Sequence, residues 1–310
     1  MTRASASGKI ILFGEHAVVY GRPALAVPVT QVHADVEVVD SPRAGIWIHA
    51  PDISLHAELS SLPSDHPIAS AIHNFLFACR VSPFPSLDIS ITSTIPVASG
   101  LGSGAAVTIA LLRALSSVVY RPLSDKQVNQ FAYEIEKLHH GTPSGIDNTV
   151  IAYAKPVYFI KGQLIETFTV GSPFTIVIAD TGIGALTKES VGDVRKLWEA
   201  DKPRWEKVFD EVGEIARTAK QKIEHGEWRA LGALMDSNHS LLQRLTVSSP
   251  ELDRLVETAR RSGALGAKLS GGGRGGNMIA LVEKDAAAQV AEALTSAGAK
   301  RTIITEIANG

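Results

Sequence analysis

The pattern of hydrophobic and polar positions in the first half of the chain predicts strands that alternate with helices. In residues 32–39 apolar side chains alternate with His33, Asp35 and Glu37, which is typical of a strand with one wet face. The predicted strands cover residues 9–13, 24–29, 32–39 and 86–95, with a strand pair around residues 156–168. The predicted helices cover residues 66–80, a segment that ends near 119, and a segment that Ser124 caps and that ends near 140.

The second half of the chain predicts a different order of elements. Its strands are expected at residues 174–180, 264–270, 276–282 and 300–307, with three helical stretches between about 187 and 262 and a helix at 285–297. With the three middle stretches taken as one layer, the order is β-α-β-β-α-β, the split arrangement of ferredoxin-like domains. We therefore predict an α+β protein with a mixed α/β domain over residues 1–170 and a ferredoxin-like domain over residues 171–310.

Composition narrows the classes of partner. The 310 residues suffice for two domains, and 30 Lys and Arg against 32 Asp and Glu give a formal net charge of −2. This balance gives no electrostatic reason to expect nucleic acid or an anionic membrane as a partner. The single cysteine, Cys79, cannot form a disulfide within the chain, and the N-terminus lacks the apolar core of a signal peptide. These features predict a cytoplasmic protein.

A glycine-rich segment between a predicted strand and a predicted helix is the strongest local signal. Three glycines there let backbone N–H groups approach an anion at the helix N-terminus, where several donors lack partners. The alternative is a flexible connector between the strand and the helix. The candidate phosphate-binding residues are Pro96, Ser99, Gly100, Leu101, Gly102, Ser103, Gly104, Ala105 and Ala106.

A second glycine-rich segment carries a G-x-G-x-x-G string at Gly271, Gly273 and Gly276. It lies between two predicted strands and opens no helix, so a dinucleotide site is the weaker interpretation. We favour a tight turn whose backbone, at Gly271 and Gly272, reaches a ligand. The G-x-x-x-x-G-K-[ST] signature of P-loop proteins does not occur in the sequence.

Three charged residues are candidates for phosphoryl transfer. That reaction needs a carboxylate to hold Mg²⁺ and a second group to accept the hydroxyl proton, and Glu136 with Asp147 could supply them. The alternative is a surface glutamate and a turn-forming aspartate. Lys9 either lies in solvent at the start of its strand or points inward and stabilises developing negative charge.

Taken in order, these segments resemble the GHMP kinases, and most closely the members that phosphorylate mevalonate. The segments are Gly8 to Gly21, Pro96 to Ala106, His140 to Asn148 and Lys268 to Gly276. The resemblance implies the two-domain GHMP fold with the active site between the domains, and commonly a homodimer. It also implies the substrates ATP and mevalonate, the product 5-phosphomevalonate, and Mg²⁺ as cofactor.

The resemblance assigns roles residue by residue. Asp147 matches the catalytic base, Lys9 the lysine beside it, and Glu136 the magnesium-binding glutamate, while the 100–106 loop matches the segment around the ATP phosphates. Glu15, His16 and Thr181 match positions that line the mevalonate pocket, and we place Gly271 and Gly272 there as well.

Three positions depart from the family pattern. Gly104 stands where the family usually has a serine whose hydroxyl helps to hold Mg²⁺, so Ser103, water, or Glu136 with ATP must supply that contact. Arg274 replaces a usual glycine, and either adds charge near the phosphates or faces solvent. Asn277 stands where many members have cysteine.

Two other functions stay open at this point. The first is another GHMP enzyme of the isoprenoid route, either a phosphomevalonate kinase or a decarboxylase of mevalonate phosphates. The second is a GHMP-fold sensor that has lost catalysis.

Overall fold

The computed structural model describes residues 1–96, 99–140, 143–184 and 187–309. Val97, Ala98, Gly141 and Thr142, which belong to two of the predicted motifs, lie outside these residues. The chain forms two compact units. Unit 1 contains Met1–Gly8, Val32–Pro96 and Gly102–Ala154; unit 2 contains Lys9–Gln31, residues 97–101 and Lys155–Gly310. Because the strands β1 (Thr2–Phe13) and β2 (Ala24–Asp40) contribute residues to both units, the units are discontinuous in sequence, and the continuous domains 1–170 and 171–310 stay a prediction.

The described residues of unit 1 form a sheet and four α-helices. Its further strands are β3 (Ile46–Ala50), β4 (Leu55–Glu58) and β5 (Leu87–Ser93), in the order β4-β3-β5-β2. β5 lies antiparallel to β2, with Val36 opposite Ile91, and parallel to β3. The helices, which pack on one another, are α1 (Pro67–Ala78), α2 (Ser103–Val118), α3 (Asp125–His140) and α4 (Ile146–Tyr153).

The start of α3 has the cap that its sequence predicts. The hydroxyl of Ser124 accepts a hydrogen bond from the Gln127 backbone N–H at 3.4 Å, and the Gln127 side chain accepts one from the Ser124 N–H at 2.9 Å. This reciprocal pair satisfies two donors that the first turn of a helix leaves without partners. The prediction of Ser124 as the cap is confirmed.

Unit 2 contains the ferredoxin-like arrangement. Its strands β8 (Phe174–Asp180), β9 (Gly266–Ser270), β10 (Asn277–Val282) and β11 (Arg301–Ile307) form an antiparallel sheet in the order β11-β8-β10-β9. There are also two short strands, β6 (Val157–Phe159) and β7 (Glu166–Thr167). β6 pairs with the first residues of β2, with Ala24 opposite Phe159, and β7 pairs with β6. The helices are α5 (Thr187–Ala200), α6 (Lys202–Glu224), α7 (Leu231–Arg244), α8 (Pro250–Arg261) and α9 (Ala287–Ser296).

The core of unit 2 includes an N-terminal segment of the chain. Ala17 is buried in the same apolar cluster as α6, α8 and the sheet. The ring of Tyr20 stacks on that of Phe209 with centroids 4.1 Å apart, and the Arg22 guanidinium binds Asp210 of α6 at 2.9 Å. Residues that follow the first predicted strand therefore belong structurally with the C-terminal half of the sequence.

Several predicted elements differ from those observed. Residues 24–29 and 32–39 form one strand, because Thr30 and Gln31 between them stay extended. The region 187–262 holds four α-helices where three helical stretches were predicted, and β3 and β4 were not predicted. Asp147 lies in the first turn of α4, a helix that the sequence did not predict.

Among the described residues, no helix combines the length and the apolar character needed to cross a lipid bilayer.

Candidate active site

The carbonyl groups of residues 99–101 are each held by a donor of unit 2. The Ser99 carbonyl accepts from Asn277 Nδ2 at 2.5 Å, the Gly100 carbonyl from Lys9 Nζ at 2.8 Å, and the Leu101 carbonyl from the Lys9 backbone N–H at 3.0 Å. In a trans peptide the C=O and the N–H of the same plane point in opposite directions. The N–H group of each of these peptides therefore points away from the donor that holds its carbonyl.

The continuation of this segment is the N-terminus of α2 in unit 1. α2 begins at Ser103 after Gly102, and no side chain caps its first turn within the described part of the chain. The first N–H groups of a helix have no partner inside it, and the helix dipole favours negative charge at this end. Residues 102–105 thus have the donor chemistry that a phosphate group needs, whereas the Ala106 N–H already binds the Gly102 carbonyl at 2.9 Å.

Lys9 is buried, so the interpretation of this residue as a solvated strand start is wrong. Its side chain is only 3% exposed and donates to the Gly100 carbonyl. A buried ammonium needs charged or hydrogen-bonding partners, and this bond supplies one of them. Lys9, a residue of β1, therefore supports the loop at residues 99–101.

Glu15 forms an ion pair inside unit 2. Lys268 Nζ donates to Glu15 Oε1 and, at 2.7 Å, to the Leu269 carbonyl, and neither charged side chain is exposed. Burial raises the pKa of the Glu15 carboxyl, and the Lys268 ammonium opposes that rise. The second carboxylate oxygen, Oε2, is buried and has no hydrogen-bond partner among the described residues.

His16 follows Glu15 in an unusual backbone conformation. Its φ of +61° lies in the region that favours glycine, and Gly14 before it has φ +96°. At Gly14 a Cβ would approach the Cα of Ala24 to 2.4 Å, so only glycine fits there. This close approach directs the chain into a turn that buries both Glu15 and His16.

The imidazole of His16 is neutral near pH 7. Burial, together with the charge of Arg274, lowers its pKa to about 4, although a hydrogen bond to Gly272 opposes the change. Nε2 lies 3.0 Å from the Gly272 carbonyl, which can only accept, so Nε2 carries the proton. Nδ1 is then an acceptor, buried and without a partner in the described part of the chain.

The second glycine-rich turn, between β9 and β10, joins the pieces of unit 2. Ser270 at its start donates to the Ile11 carbonyl at 2.8 Å, and Gly276 near its end accepts from the Thr181 hydroxyl at 2.9 Å. Gly272 binds His16 and Asn277 binds Ser99. One turn therefore contacts every segment of unit 2 that carries a predicted site residue.

Arg274 is anchored by the protein itself. Its guanidinium binds Asp193 at 2.6 Å and the Thr246 carbonyl at 3.3 Å. These contacts fix the side chain between α5 and the α7–α8 connection, while the guanidinium stays partly exposed. The two interpretations of Arg274, added charge near the phosphates and exposure to solvent, both stay predictions.

The two carboxylates of the predicted reaction lie on neighbouring helices of unit 1. Glu136 is half-buried on α3, and Asp147 is half-buried in the first turn of α4. α4 is fixed to α3 by Asn148, whose Nδ2 donates to Asn129 Oδ1 at 2.5 Å. This bond sits directly beside Asp147 and fixes the start of its helix.

The predicted site residues fall into two sets. Unit 2 holds Lys9, Glu15, His16, Ser99, Gly100, Leu101, Thr181, Gly271 and Gly272. Unit 1 holds Pro96, Gly102, Ser103, Gly104, Ala105, Ala106, Glu136 and Asp147. The catalytic, metal-binding and ligand-binding roles of these residues stay predictions.

Sequence reasoning missed the partners of these residues. Lys268 received no role, although a lysine among the buried residues of β9 signals a paired charge. The sequence also predicted no contact for Asn148 or Asn277. Their roles depend on partners 19 and 178 positions away in the chain, which no local pattern reveals.

Comparison with known proteins defines the class. The N-terminal domain of GHMP kinases matches residues 68–155, and the C-terminal domain of GHMP kinases matches residues 219–300. The chain belongs to the GHMP kinase family.

Individual relatives align with nearly the whole chain. A mevalonate kinase of Pyrococcus abyssi is 36% identical over 295 residues, covering 90% of this chain and 88% of that protein. A mevalonate kinase of Thermococcus gammatolerans is 36% identical over 326 residues, covering 98% and 95%. The crystal structure of L. major mevalonate kinase in complex with R-mevalonate superimposes with a TM-score of 0.86 at 28% identity, covering 100% of this chain and 97% of that one. The α+β, two-domain GHMP fold predicted from the sequence is confirmed.

Proposed function

We propose that this chain is an ATP-dependent kinase that phosphorylates mevalonate to 5-phosphomevalonate. The observation that carries the proposal is the orientation of the peptides at residues 99–101, whose carbonyls are all bound by Lys9 and Asn277. The loop runs directly into the N-terminus of α2, and backbone N–H groups at such an end suit the phosphates of a nucleotide.

The choice of mevalonate rests on the relatives and on two side chains. The curated relatives are mevalonate kinases at 36% identity over most of the chain. Glu15 Oε2 and His16 Nδ1 are buried acceptors without partners among the described residues. Buried acceptors of this kind favour a ligand with hydroxyl donors, and mevalonate carries two.

In the proposed reaction Asp147 accepts the proton of the substrate hydroxyl, and the charge of Lys9 stabilises the oxygen that attacks the γ-phosphorus. The carboxylate of Glu136 and the hydroxyl of Ser103 are hard oxygen donors on adjacent helices, which suit Mg²⁺. Bound Mg²⁺ would neutralise phosphate charge and orient the nucleotide. The proposal includes a cytoplasmic location and a homodimer.

A product assay tests the function. The chain is incubated with ATP and, in parallel, mevalonate, its phosphates, homoserine and galactose, and products are identified by NMR. We expect mevalonate to be the best substrate, with one ADP formed per product and no carbon dioxide. Carbon dioxide release, or a strong preference for a phosphorylated substrate, would replace the proposed activity with that of another GHMP enzyme.

The magnesium requirement tests Glu136. Because Gly104 supplies no hydroxyl, Glu136→Gln should raise the Mg²⁺ concentration needed for half-maximal rate far more than Ser103→Ala does. A Cβ at position 104 would meet no atom within 4 Å, so Gly104→Ser should be tolerated and should lower the requirement. Rates are titrated with Mg²⁺ at saturating ATP in all four proteins. An unchanged midpoint in Glu136→Gln would remove this residue from the metal site.

A further inference from the structure

Asn277 is the first residue of β10. It is 1% exposed, and its Nδ2 donates to the Ser99 carbonyl at 2.5 Å across 178 positions of sequence. The amide orientation is fixed by chemistry, since a carbonyl cannot donate and only the NH₂ group can satisfy it. The same amide lies beside Gly100, where an added Cβ would be 3.7 Å from Nδ2.

This contact is one of three hydrogen bonds that hold the carbonyls of residues 99–101. The Gly100 and Leu101 carbonyls are both bound by Lys9, whereas the Ser99 carbonyl is bound by the side chain of Asn277. Without the Asn277 donor, the first peptide of the loop would lose the bond that sets its orientation. Loss of this buried hydrogen bond would weaken the constraint on that peptide and favour its rotation.

The register of the sheet makes Asn277 a rigid donor. As part of β10, it pairs with Ser270 of β9 and Asp180 of β8. Its backbone is therefore fixed from both sides, and the short side chain has few rotamers. Because this donor is fixed in the ferredoxin-like sheet, the loop peptide that it binds is held in place relative to that sheet.

We infer that Asn277 is a positioning residue for nucleotide binding: it orients the peptide after Ser99 so that its N–H faces the ATP phosphates. The inference rests on the proposed function only for the identity of the nucleotide. Asn277 acts through the loop and does not itself contact substrate.

The test compares Asn277→Ala and Asn277→Cys with the wild-type chain. Asn238→Ala serves as the matched control, because Asn238 is another fully buried amide of unit 2, on α7. Dissociation constants for Mg-ADP and for a non-hydrolysable ATP analogue are measured by calorimetry. The KM values for ATP and mevalonate, kcat and the thermal midpoint are measured for each protein.

We expect Asn277→Ala to weaken nucleotide binding and to raise the KM for ATP by roughly tenfold, as loss of one buried hydrogen bond implies. The KM for mevalonate should change by less than about twofold, since the inference assigns these peptides to the nucleotide. Asn277→Cys should fall between wild type and alanine, because a thiol is a weak donor. Asn238→Ala should leave nucleotide affinity unchanged whatever it does to the thermal midpoint.

Wild-type nucleotide affinity in a folded Asn277→Ala would overturn the inference, as would an equal rise of both KM values. If alanine prevents folding, the same comparison is made with Asn277→Cys, and wild-type affinity there would overturn it. A wild-type chain that binds nucleotide but leaves mevalonate unchanged would refute the proposed function alone, because the effect of Asn277 on affinity is read separately.

Discussion

Asp147→Asn should lower kcat by roughly 10²–10⁴-fold while the dissociation constant for ATP stays close to that of the wild type. The substitution keeps the shape of the side chain and removes the group that would accept the proton. The first turn of α4 should stay in place, because Asn148 still binds Asn129 of α3. The effect should therefore fall on chemistry and leave folding and binding intact.

Asp125→Asn provides the matched control. Asp125 also lies in the first turn of a helix of unit 1, where it binds Arg113 at 2.9 Å on the surface. Its replacement should leave kcat within about twofold of wild type, because exposed ion pairs contribute little. Single-turnover and steady-state rates at saturating substrates measure both variants. An Asp147→Asn enzyme with half the wild-type activity would show that Asp147 is a structural residue.

Lys9→Met should lower kcat by about a hundredfold or more and should also raise the KM for ATP. The methionine fills similar space but supplies no charge for the attacking oxygen, which accounts for the loss in kcat. It also removes the donor that binds the Gly100 carbonyl at 2.8 Å, which accounts for the change in KM. Both constants are measured with Lys155→Met, which replaces an exposed lysine of the same unit, as the control.

A double variant separates the two roles of Lys9. Lys9 and Asn277 hold successive peptides of one loop. The effects of Lys9→Met and Asn277→Ala on the KM for ATP should therefore be less than additive in the double variant. Their effects on kcat should combine independently, because only Lys9 is assigned to the chemistry. A pure KM effect in Lys9→Met would limit this lysine to binding.

Periodicity predicted much of the fold from the sequence. The predicted strand at residues 174–180 coincides with β8, and the helix predicted at 66–80 contains α1. These elements have one buried face or a fully buried run, so the pattern of apolar residues reports them directly. The ferredoxin-like order followed from the same reasoning.

The elements that were missed lack such a pattern. β3 and β4 are five and four residues long, and they contain the exposed His49 and His56 and the half-buried Glu58, so they resemble loops in sequence. α4 starts only at Ile146, after a Pro-Ser-Gly run that predicts a turn. In both cases the structure is set by packing against distant residues, which a local window does not contain.

The candidate site was predicted by motif rather than by geometry. Position in the motifs pointed to Glu15 and His16, yet burial, the pairing of Glu15 with Lys268 and the tautomer of His16 required the structure. Lys9 shows the same limit, because its sequence position favoured solvent and its bond to Gly100 lies 91 positions away.

Unit 2 is assembled from separated segments of the sequence, and this has a consequence for its folding during synthesis on the ribosome. Every residue of unit 1 has been made once Ala154 is added, whereas residues 9–31 belong to a unit whose remaining partners come later. The four apolar residues Ile10 to Phe13 are buried in the finished protein, and Glu15 pairs with a lysine 253 positions on.

At translation rates of about 5–20 residues per second, this N-terminal segment waits roughly 10 to 50 s for the last of its partners. During that interval its apolar strand is accessible to chaperones and to other nascent chains. Closing so long a loop also slows the search for native contacts. Unit 2 therefore completes its folding only after Lys268 has been made, 253 positions after Glu15.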